Sequence, residues 1–290
     1  MHNRKADREN GDRPMTNFRL PLPDGRVLEP KGRALIMGIL NVTPDSFSDG
    51  GLFAAADAAI AQAERMAEEG ADILDIGGES TRPGHVPVPE EEEKRRVLPV
   101  LEMLAKRLAI PIAIDTQKAS LARAALDTGA TIVNDVWGLQ KDPGMPEAAG
   151  RAAAVVVMHN RVAADPAIDI LAEVKAYLAR SIEIAERAGL ARERILVDPG
   201  IGFGKTQLQN LLLLKRLSEL HELGAPILVG LSRKSLIGRI LGEQTPRERL
   251  FGTISANVLA AQAGASVLRV HDVRAHVEAL AVAGAISAAA

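Results

Sequence analysis

The chain has no cysteine, few aromatic residues and almost no net charge. Without cysteine it can form neither disulfides nor thiolate metal sites, and this composition suits the reducing cytoplasm, where we expect the protein to work. Its 35 Lys and Arg residues nearly cancel its 37 Asp and Glu residues, and only 2% of the chain is aromatic. Because nucleic-acid binding needs basic patches and stacking platforms, we expect no nucleic-acid partner.

The sequence also has no long apolar run and no targeting signal. Its most apolar stretch, residues 279–290, is too short and too rich in alanine to span a bilayer and is predicted to be the last helix. Residues 1–17 are charged and polar with acids interspersed, unlike a signal or transit peptide. We interpret residues 1–17 as a disordered tail and residues 18–290 as one folded domain, with no membrane partner.

One junction recurs along the chain: a helical stretch ends in Gly-Ala and is followed by a short apolar strand and a polar residue. It occurs at Gly70-Ala71, Gly129-Ala130, Gly224-Ala225 and Gly264-Ala265. Glycine there suits a helix C-terminus that enters a left-handed conformation. Further strands without this junction bring the predicted total to eight. They lie at residues 34–40, 112–114, 154–158 and 195–197.

The predicted strands are apolar throughout, which indicates a parallel sheet buried on both faces. Helical patterns separate them, for example at residues 57–69, 90–108, 168–188 and 207–223. Eight such units favour an α/β fold of the closed (β/α)8 type, a TIM barrel, over an open doubly wound sheet. Before the first strand, the turn Pro23-Asp24-Gly25 lies between two short apolar segments, which predicts an N-terminal hairpin that closes the lower end of the barrel.

Polar residues stand where the predicted strands end, and in such a barrel the active site forms at those positions. They are Asn41, Glu79-Ser80-Thr81-Arg82, Asp115, Asn134-Asp135, His159, Asp198, Ser232-Arg233-Lys234-Ser235, Arg269 and His271. Each alone would be an ordinary buried polar group, and we interpret Asp135 and His159, together with Asp75 inside its strand, in that way. At one end of one barrel, the set predicts a site for a polar ligand.

The chemistry of these residues predicts two subsites. Asn41, Arg269 and His271 combine an oxygen ligand, a guanidinium and an imidazole, which suits a phosphate or pyrophosphate with a divalent cation bridging to Asn41. The other subsite has two carboxylates, a carboxamide and an ammonium, which suits a flat heterocycle with donors on one edge and a carbonyl on another, as in a pterin. Its residues are Asp115, Asn134, Asp198 and Lys234.

Residues 198–206 end like a nucleotide-binding loop, but Pro199 stands where that motif needs glycine, so we do not interpret this segment as an ATP site. Its glycines, among them Gly202, instead suit a backbone that passes close to a ligand ring. Phe203 is predicted to form a wall of the same pocket.

All of these segments resemble the dihydropteroate synthase family, from about residue 18 to the C-terminus. The matching motifs are the first strand and loop over residues 36–51, Glu79-Ser80-Thr81-Arg82-Pro83-Gly84, Asp115-Thr116, Asn134-Asp135, Asp198-Pro199-Gly200, Gly202-Phe203-Gly204-Lys205, Ser232-Arg233-Lys234-Ser235 and Arg269-Val270-His271-Asp272. The departures, Asn160 after Met158-His159 and the prolines Pro87 and Pro89, concern loop detail.

The resemblance implies a homodimer that joins 6-hydroxymethyl-7,8-dihydropterin pyrophosphate to 4-aminobenzoate with Mg²⁺, forming 7,8-dihydropteroate and pyrophosphate. It assigns the pterin to Asp115, Asn134, Asp198 and Lys234. It assigns the pyrophosphate and its metal to Asn41, Arg269 and His271, with Thr81 close to the phosphates. It assigns 4-aminobenzoate and the loops that close over it to Phe47, Arg82, Pro83 and Ser235. Sulfonamides, which carry the same aniline, are then expected to compete with 4-aminobenzoate.

The predicted site has no cysteine and no evident Ser-His-Asp arrangement, so we expect no covalent enzyme intermediate. Pyrophosphate is predicted to leave first, with the charge on the pterin methylene stabilised electrostatically, before the aniline attacks a carbocation-like centre. The predicted catalytic residues are Asp115, Lys234 and Asn41. We expect ordered binding with the pterin substrate first, because loops 41–51 and 82–89 then close over pyrophosphate and Mg²⁺.

Two other functions fit parts of the pattern. A methyltetrahydrofolate-binding methyltransferase shares the barrel and the pterin pocket, but methyl transfer would leave Arg269, His271 and the loop at residues 41–51 without a role. A catalytically silent pterin-binding paralogue is the alternative from another class. The intact loops and both subsites favour an enzyme.

Overall fold

The computed structural model describes residues 18–22, 25–42, 51–79, 87–242 and 245–289. The predicted tail, residues 1–17, lies outside these ranges. So do most of the two predicted closing loops, and with them four predicted site residues, Phe47, Thr81, Arg82 and Pro83.

In the described ranges, eight parallel strands form the barrel, as predicted. They are β3 (Leu35–Asn41), β4 (Ile73–Gly77), β5 (Ile112–Asp115), β6 (Ile132–Asp135), β7 (Ala154–Met158), β8 (Ile195–Asp198), β9 (Leu228–Gly230) and β10 (Val267–Val270). Their order around the sheet is β8-β7-β6-β5-β4-β3-β10-β9. A parallel bridge between Val197 and Ile227 joins β8 to β9 and closes the circle.

Helices follow the strands on the outside of the barrel. They are α1 (Gly51–Glu68), α2 (Glu90–Arg107), α3 (Ala119–Thr128), α4 (Met145–Gly150), α5 (Ile170–Arg187), α6 (Gln207–Lys215), α7 (Ser235–Leu241), α8 (Leu250–Gln262) and α9 (Val273–Ala288). No helix in the described part of the chain is long and apolar enough to cross a membrane.

The single helix predicted over residues 207–223 is wrong. Helix α6 ends at Lys215, and Leu217–Leu223 forms a 3-10 helix instead. The buried residues of this second segment, Leu217 and Leu220, stand three positions apart, and side chains at that spacing share one face of a 3-10 helix.

The predicted hairpin is present. Its strands, β1 (Leu20–Pro21) and β2 (Val27–Leu28), pair antiparallel. The buried side chains of Phe18 and Leu20 belong to the same apolar cluster as residues at the beginnings of the barrel strands, such as Ile73. The hairpin therefore closes the lower end of the barrel, and the opposite end remains for a site.

The inner wall of the barrel changes from apolar to polar along the strands. Successive strand residues face opposite sides, so a residue two positions beyond an inward apolar residue also faces inward. Ile73, Ala113, Ile132, Leu196, Leu228 and Val267 belong to the inner apolar cluster. Two positions further along the strands stand Asp75, Asp115, Asn134, Asp198, Gly230 and Arg269. The strand period thus brings polar side chains from five strands together above the apolar layer, with Gly230 contributed by a sixth.

Candidate active site

A buried ion-pair network forms the floor of this polar layer. Arg269 on β10 donates from Nε to Asp75 Oδ2 (2.5 Å) and from Nη2 to Asp115 Oδ2 (2.6 Å). Asp75 Oδ2 also accepts a hydrogen bond from Asn134 Nδ2 at 3.1 Å. The network links β10 to β4, β5 and β6: the guanidinium orients Asp75 and Asp115, and Asp75 in turn orients Asn134.

Asp115 has a raised pKa, and one of its two carboxylate oxygens accepts no hydrogen bond from the described residues. Burial raises its pKa to about 7, Arg269 opposes this shift, and the nearby Asp75 adds to it. Although burial disfavours the Arg269 charge, the carboxylates of Asp75 and Asp115 raise its pKa, so the guanidinium stays protonated. Among the described residues, Asp115 Oδ1 is buried without a hydrogen-bond partner. A buried unpaired acceptor in a cleft indicates a ligand that carries a donor.

Asp198 and Lys234 face each other across a glycine-rich turn. Asp198 Oδ1 accepts the backbone N–H of Gly200 at 2.7 Å, and burial raises the pKa of this carboxyl. Lys234 donates to the carbonyl of Ile201, and its Nζ lies 4.6 Å from the centre of the Phe203 ring. Burial lowers the pKa of Lys234 to about 8, against the attraction of Asp198. The Phe203 ring and the ammonium therefore lie side by side, and the role of Phe203 as a wall of the ligand pocket stays a prediction.

Gly202 makes room for this wall. Its φ is +87°, and a Cβ built there would lie 3.2 Å from Lys234 Cδ. A side chain at this position would be strained and would press on the lysine stem. Glycine therefore sets both the turn and the position of the ammonium.

His271 is held at the C-terminal end of β10 by Ser232, which the sequence analysis did not assign. Ser232 Oγ accepts the backbone N–H of His271 at 3.1 Å and lies 2.9 Å from its Nδ1. A hydroxyl can either donate to Nδ1 or accept from it, so this contact orients the ring in both of its neutral tautomers. An imidazole held in this way is a group that can bind an anionic ligand.

Asn41 ends β3 beside Gly77 of β4, and its side chain is half-buried. No group of three or more His, Asp or Glu side chains that could hold a metal exists among the described residues. Mg²⁺ commonly takes only one or two protein ligands and completes its shell with phosphate oxygens and water. A single carboxamide at this end of the barrel fits that pattern, provided that the ligand brings the phosphates.

The segment with Ser235 is positioned by a second ion pair. Arg233, at φ +59°, donates to both carboxylate oxygens of Asp272, from Nε at 3.1 Å and Nη2 at 2.6 Å. This pair links the turn after β9 to the residues after β10. Ser235 is exposed at the first position of α7.

Lys118 holds the two flanks of the segment 80–86. Its Nζ donates to Glu79 Oε2 (2.6 Å), Glu93 Oε2 (2.5 Å) and the Val88 carbonyl (2.7 Å). Glu79 stands directly before this segment and Val88 shortly after it. No local pattern indicates this role for Lys118, since it lies three residues beyond its strand and meets its three partners only in the folded chain.

The interpretation of Asp135 and His159 as structural groups agrees with their contacts. Asp135 accepts the backbone N–H groups of Trp137 (2.9 Å) and Leu139 (2.7 Å) and so caps its own loop. His159 is fully buried next to Lys205. Asp75 is also fully buried, but it orients Arg269 and Asn134, a link that a linear pattern does not reveal.

The family described as pterin binding enzyme matches residues 37–271, which run from β3 to just beyond β10. The dihydropteroate synthase of Bacillus subtilis (strain 168) is 47% identical over 249 residues, covering 86% of this chain and 87% of the relative. The match therefore spans the whole barrel.

Solved structures give the same result. Xanthomonas albilineans dihydropteroate synthase with 4-aminobenzoic acid is 49% identical with a TM-score of 0.89, covering 94% of this chain and 99% of that chain. Dihydropteroate synthase from Clostridium difficile, solved in the presence of pteroic acid, is 51% identical with a TM-score of 0.85, covering 88% of this chain and 97% of that chain.

Proposed function

Because the chain belongs to the family of pterin-binding enzymes, we propose that it catalyses the dihydropteroate synthase reaction at the carboxyl end of its barrel. The reaction joins 6-hydroxymethyl-7,8-dihydropterin pyrophosphate to 4-aminobenzoate, with release of pyrophosphate. The single observation that carries the proposal is the polar inner wall above the apolar barrel core. That wall carries the acceptors Asp115, Asn134 and Asp198, and the Lys234 ammonium lies 4.6 Å from the centre of the Phe203 ring.

The pterin subsite comprises Asp115, Asn134, Asp198 and Lys234, with Gly202 and Phe203 beside them. The unpaired Oδ1 of Asp115 and the carboxylate of Asp198 accept from the ring N–H groups, and the Lys234 ammonium donates to a ring acceptor. Each charge-assisted hydrogen bond contributes roughly 1.5–3 kcal/mol. A few such bonds in a buried pocket hold the ring and fix the direction of its methylene group.

The pyrophosphate subsite comprises Asn41, Arg269 and His271, and by sequence Thr81. Arg269 binds the two carboxylates through Nε and Nη2, and Ser232 orients the imidazole of His271. Asn41 is the residue that would hold Mg²⁺, which supplies charge neutralisation for the leaving group when bound. Since Asn41 is the single metal ligand proposed among the described residues, metal affinity depends on pyrophosphate.

The proposed reaction is a nucleophilic substitution at the methylene carbon of the pterin substrate. The carbon–oxygen bond breaks, and its electron pair leaves with pyrophosphate toward the basic groups Arg269 and His271. Positive charge develops on the methylene and ring, where Asp115 stabilises it. The aniline nitrogen of 4-aminobenzoate then forms the new carbon–nitrogen bond and loses a proton. No step needs a covalent bond to the protein.

The 4-aminobenzoate subsite rests on Ser235 at the start of α7 and, by sequence, on Phe47, Arg82 and Pro83. In this proposal Ser235 binds the carboxylate of 4-aminobenzoate. Sulfonamides carry the same aniline and compete for this subsite. Because loops 41–51 and 82–89 contribute to it, the subsite is complete only after the pterin and pyrophosphate have bound, and binding is ordered.

Two further proposals concern the state of the protein. The chain acts in the cytoplasm, as its lack of cysteine suggests, and it forms a homodimer. Exposed apolar side chains on α8 and α9 support the second proposal. The most exposed are Phe251 (80%), Leu259 (66%), Val282 (61%) and Ile286 (71%).

The deciding experiment measures pyrophosphate release by the purified chain with Mg²⁺ and the pterin substrate. Release is expected only when 4-aminobenzoate is added, together with formation of 7,8-dihydropteroate. Pterin binding without release would instead support a silent pterin-binding protein. Binding of methyltetrahydrofolate, with no use of pyrophosphate, would support a methyltransferase.

The binding order is tested by titrating 4-aminobenzoate into the protein with and without Mg²⁺ and pyrophosphate. We expect measurable binding only in their presence. Equal affinity in both titrations would contradict the ordered scheme but would leave the reaction itself intact.

A further inference from the structure

Lys205 is a buried cation that the proposed reaction does not use. The lysine of the glycine-rich segment would face a phosphate in a nucleotide-binding loop, but here its side chain is turned into the protein, and the residue is only 8% exposed. Its Nζ donates to the carbonyls of Gly200 (2.7 Å) and Phe203 (3.0 Å) and contacts His159 Nδ1 at 2.8 Å. These three acceptors use all three N–H groups of the ammonium.

The acceptors belong to two neighbouring strand ends. His159 directly follows β7, and its backbone N–H donates to the Asp198 carbonyl at the end of β8. Gly200 and Phe203 lie in the turn that follows β8. Burial lowers the pKa of His159 to about 3, so its ring is neutral and its Nδ1 accepts from the ammonium. Lys205 thus links the turn after β8 to the end of the neighbouring strand β7.

The same turn carries two parts of the pterin wall. Asp198 Oδ1 accepts the N–H of Gly200, whose carbonyl is bound by Lys205. The Phe203 carbonyl is bound by Lys205, and the Phe203 ring lies 4.6 Å from the Lys234 ammonium. Moving the Lys205 ammonium would therefore release the carbonyl anchors next to both Asp198 and the ring.

A buried ammonium bound only to neutral acceptors is costly for the fold. Burial lowers the pKa of Lys205 to about 7, and the charge of Asp198 opposes this shift. An apolar side chain of the same length would avoid the cost of burying the charge. A lysine at this position has a compensating role in the turn, because its N–H groups bind the carbonyls of Gly200 and Phe203.

From these contacts we infer that Lys205 is a positioning residue for the pterin subsite: through the Gly200 and Phe203 carbonyls it sets the turn that places the Asp198 carboxylate and the Phe203 ring. The inference rests on the proposed function, since it assumes that a pterin occupies this wall. Lys205 does not touch the ligand, and its effect is specific to the pterin half of the site.

Lys205→Met tests this role, because methionine fills similar space without N–H donors. We expect the dissociation constant for 6-hydroxymethyl-7,8-dihydropterin to rise about tenfold or more, the effect of releasing charge-assisted hydrogen bonds. The KM for the pterin pyrophosphate should rise by the same factor, and the KM for 4-aminobenzoate by less than about twofold. Unchanged pterin affinity in the folded variant would overturn the inference.

Leu213→Ala is the matched control for lost stability. Leu213 is fully buried on α6, the helix that follows the turn, and truncating it leaves a cavity away from the pterin wall. It should lower the melting temperature without changing pterin affinity. If both variants weaken pterin binding in proportion to their loss of stability, Lys205 is merely structural.

A double-mutant cycle with Phe203→Leu tests the route of the effect. Side chains that act through one another give non-additive changes, so Lys205→Met should weaken pterin binding by a smaller factor in the Phe203→Leu background than in the wild type, and the remaining effect passes through Asp198. Additive effects would overturn the inference. Should Lys205→Met not fold, Lys205→Gln, which keeps an N–H donor group, replaces it in the cycle. A wild-type protein that binds the pterin but forms no 7,8-dihydropteroate would contradict the proposed function alone.

Discussion

At the scale of single residues, the charged side chains of this site are buried next to one another and interact directly. Arg269 is paired with Asp75 and Asp115, and Lys234 lies close enough to Asp198 for their charges to act on each other's pKa. Burial favours the neutral forms of Asp115, Asp198, Lys234 and Arg269, and a neighbouring opposite charge opposes this effect on the pKa of each. The free protein therefore has two groups that titrate near neutral pH and face the same ligand.

We expect a bell-shaped pH dependence of kcat/KM for the pterin substrate, with its maximum between about 7 and 8. Asp115, whose pKa is about 7, becomes a carboxylate acceptor only above that pH, and Lys234, whose pKa is about 8, loses its charge above that pH. The profile of kcat/KM reports the free enzyme. Initial rates at subsaturating pterin substrate give the measurement.

Two variants assign the two limbs of this profile. Asp115→Asn should lower activity and remove the acid limb, because asparagine does not titrate. Lys234→Arg should shift the alkaline limb above the measured range, since arginine stays protonated. An acid limb that persists in Asp115→Asn would assign it to another group.

Asp198→Asn should weaken pterin binding by about 10- to 100-fold while leaving the barrel folded. The amide oxygen can still accept the Gly200 N–H, but the charge that meets the ligand is removed, and a hydrogen bond to a charged group contributes roughly 1.5–3 kcal/mol. Calorimetry with the pterin measures the change.

Asp135→Asn is the matched control, since Asp135 is also a buried aspartate at a strand end. It accepts two backbone N–H groups of its own loop. Its variant should lose about 1–3 kcal/mol of unfolding free energy and keep its pterin affinity. The reverse pattern in the two variants would exchange the roles given to these residues.

At the scale of elements, the turn between β8 and α6 depends on glycine. Gly200 has φ +65°, and a Cβ built on it would lie 1.9 Å from the His159 carbonyl oxygen. That close approach is what lets the turn sit against the end of β7. The capping box between Thr206 and Gln209 then begins α6 directly after the turn.

Gly200→Ala should therefore destabilise the protein strongly and abolish pterin binding. Gly189→Ala is the control: φ there is +97°, but the Cβ would enter open space. A left-handed backbone costs an alanine roughly 1–2 kcal/mol, and only Gly200→Ala adds the clash with a backbone oxygen. Thermal unfolding and pterin calorimetry of the two variants measure the difference, and equal losses would contradict the role of the close approach.

At the scale of the whole molecule, α8 and α9 pack side by side, and each carries large apolar side chains exposed to solvent. Large exposed apolar patches mark interaction sites, so these helices are where we expect an interface. A second copy of the chain is the partner that the proposed homodimer requires.

Phe251→Asp should convert a dimer into a monomer, raising the dimer dissociation constant at least about 30-fold, since central aromatic residues contribute roughly 2 kcal/mol or more. Leu208→Asp is the control, because Leu208 on α6 is similarly apolar and 65% exposed. Analytical ultracentrifugation distinguishes the two. Dissociation by Leu208→Asp alone would move the interface to α6.

The sequence by itself determined the barrel and the polar residues that meet at its rim. Apolar strands, helical spacers and a polar residue at each strand end are local patterns, and a barrel places every such end at one rim. Asp115, Asn134, Asp198, Lys234 and Arg269 could therefore be named before any coordinate was known. The hairpin that closes the lower end was predicted for the same reason, from a turn between two apolar segments.

Only the tertiary structure decided how these residues interact. Arg269 reaches Asp75 and Asp115 across 194 and 154 positions of sequence, and Lys205 meets His159 across 46. Such contacts depend on which strands are neighbours and on how far a side chain reaches across the barrel, and no local pattern encodes either. The supporting roles of Asp75, Ser232, Lys118 and Lys205 were missed for this reason. The break after Lys215 was missed because buried leucines three apart suit both an α-helix and a 3-10 helix, and tertiary packing decides between them.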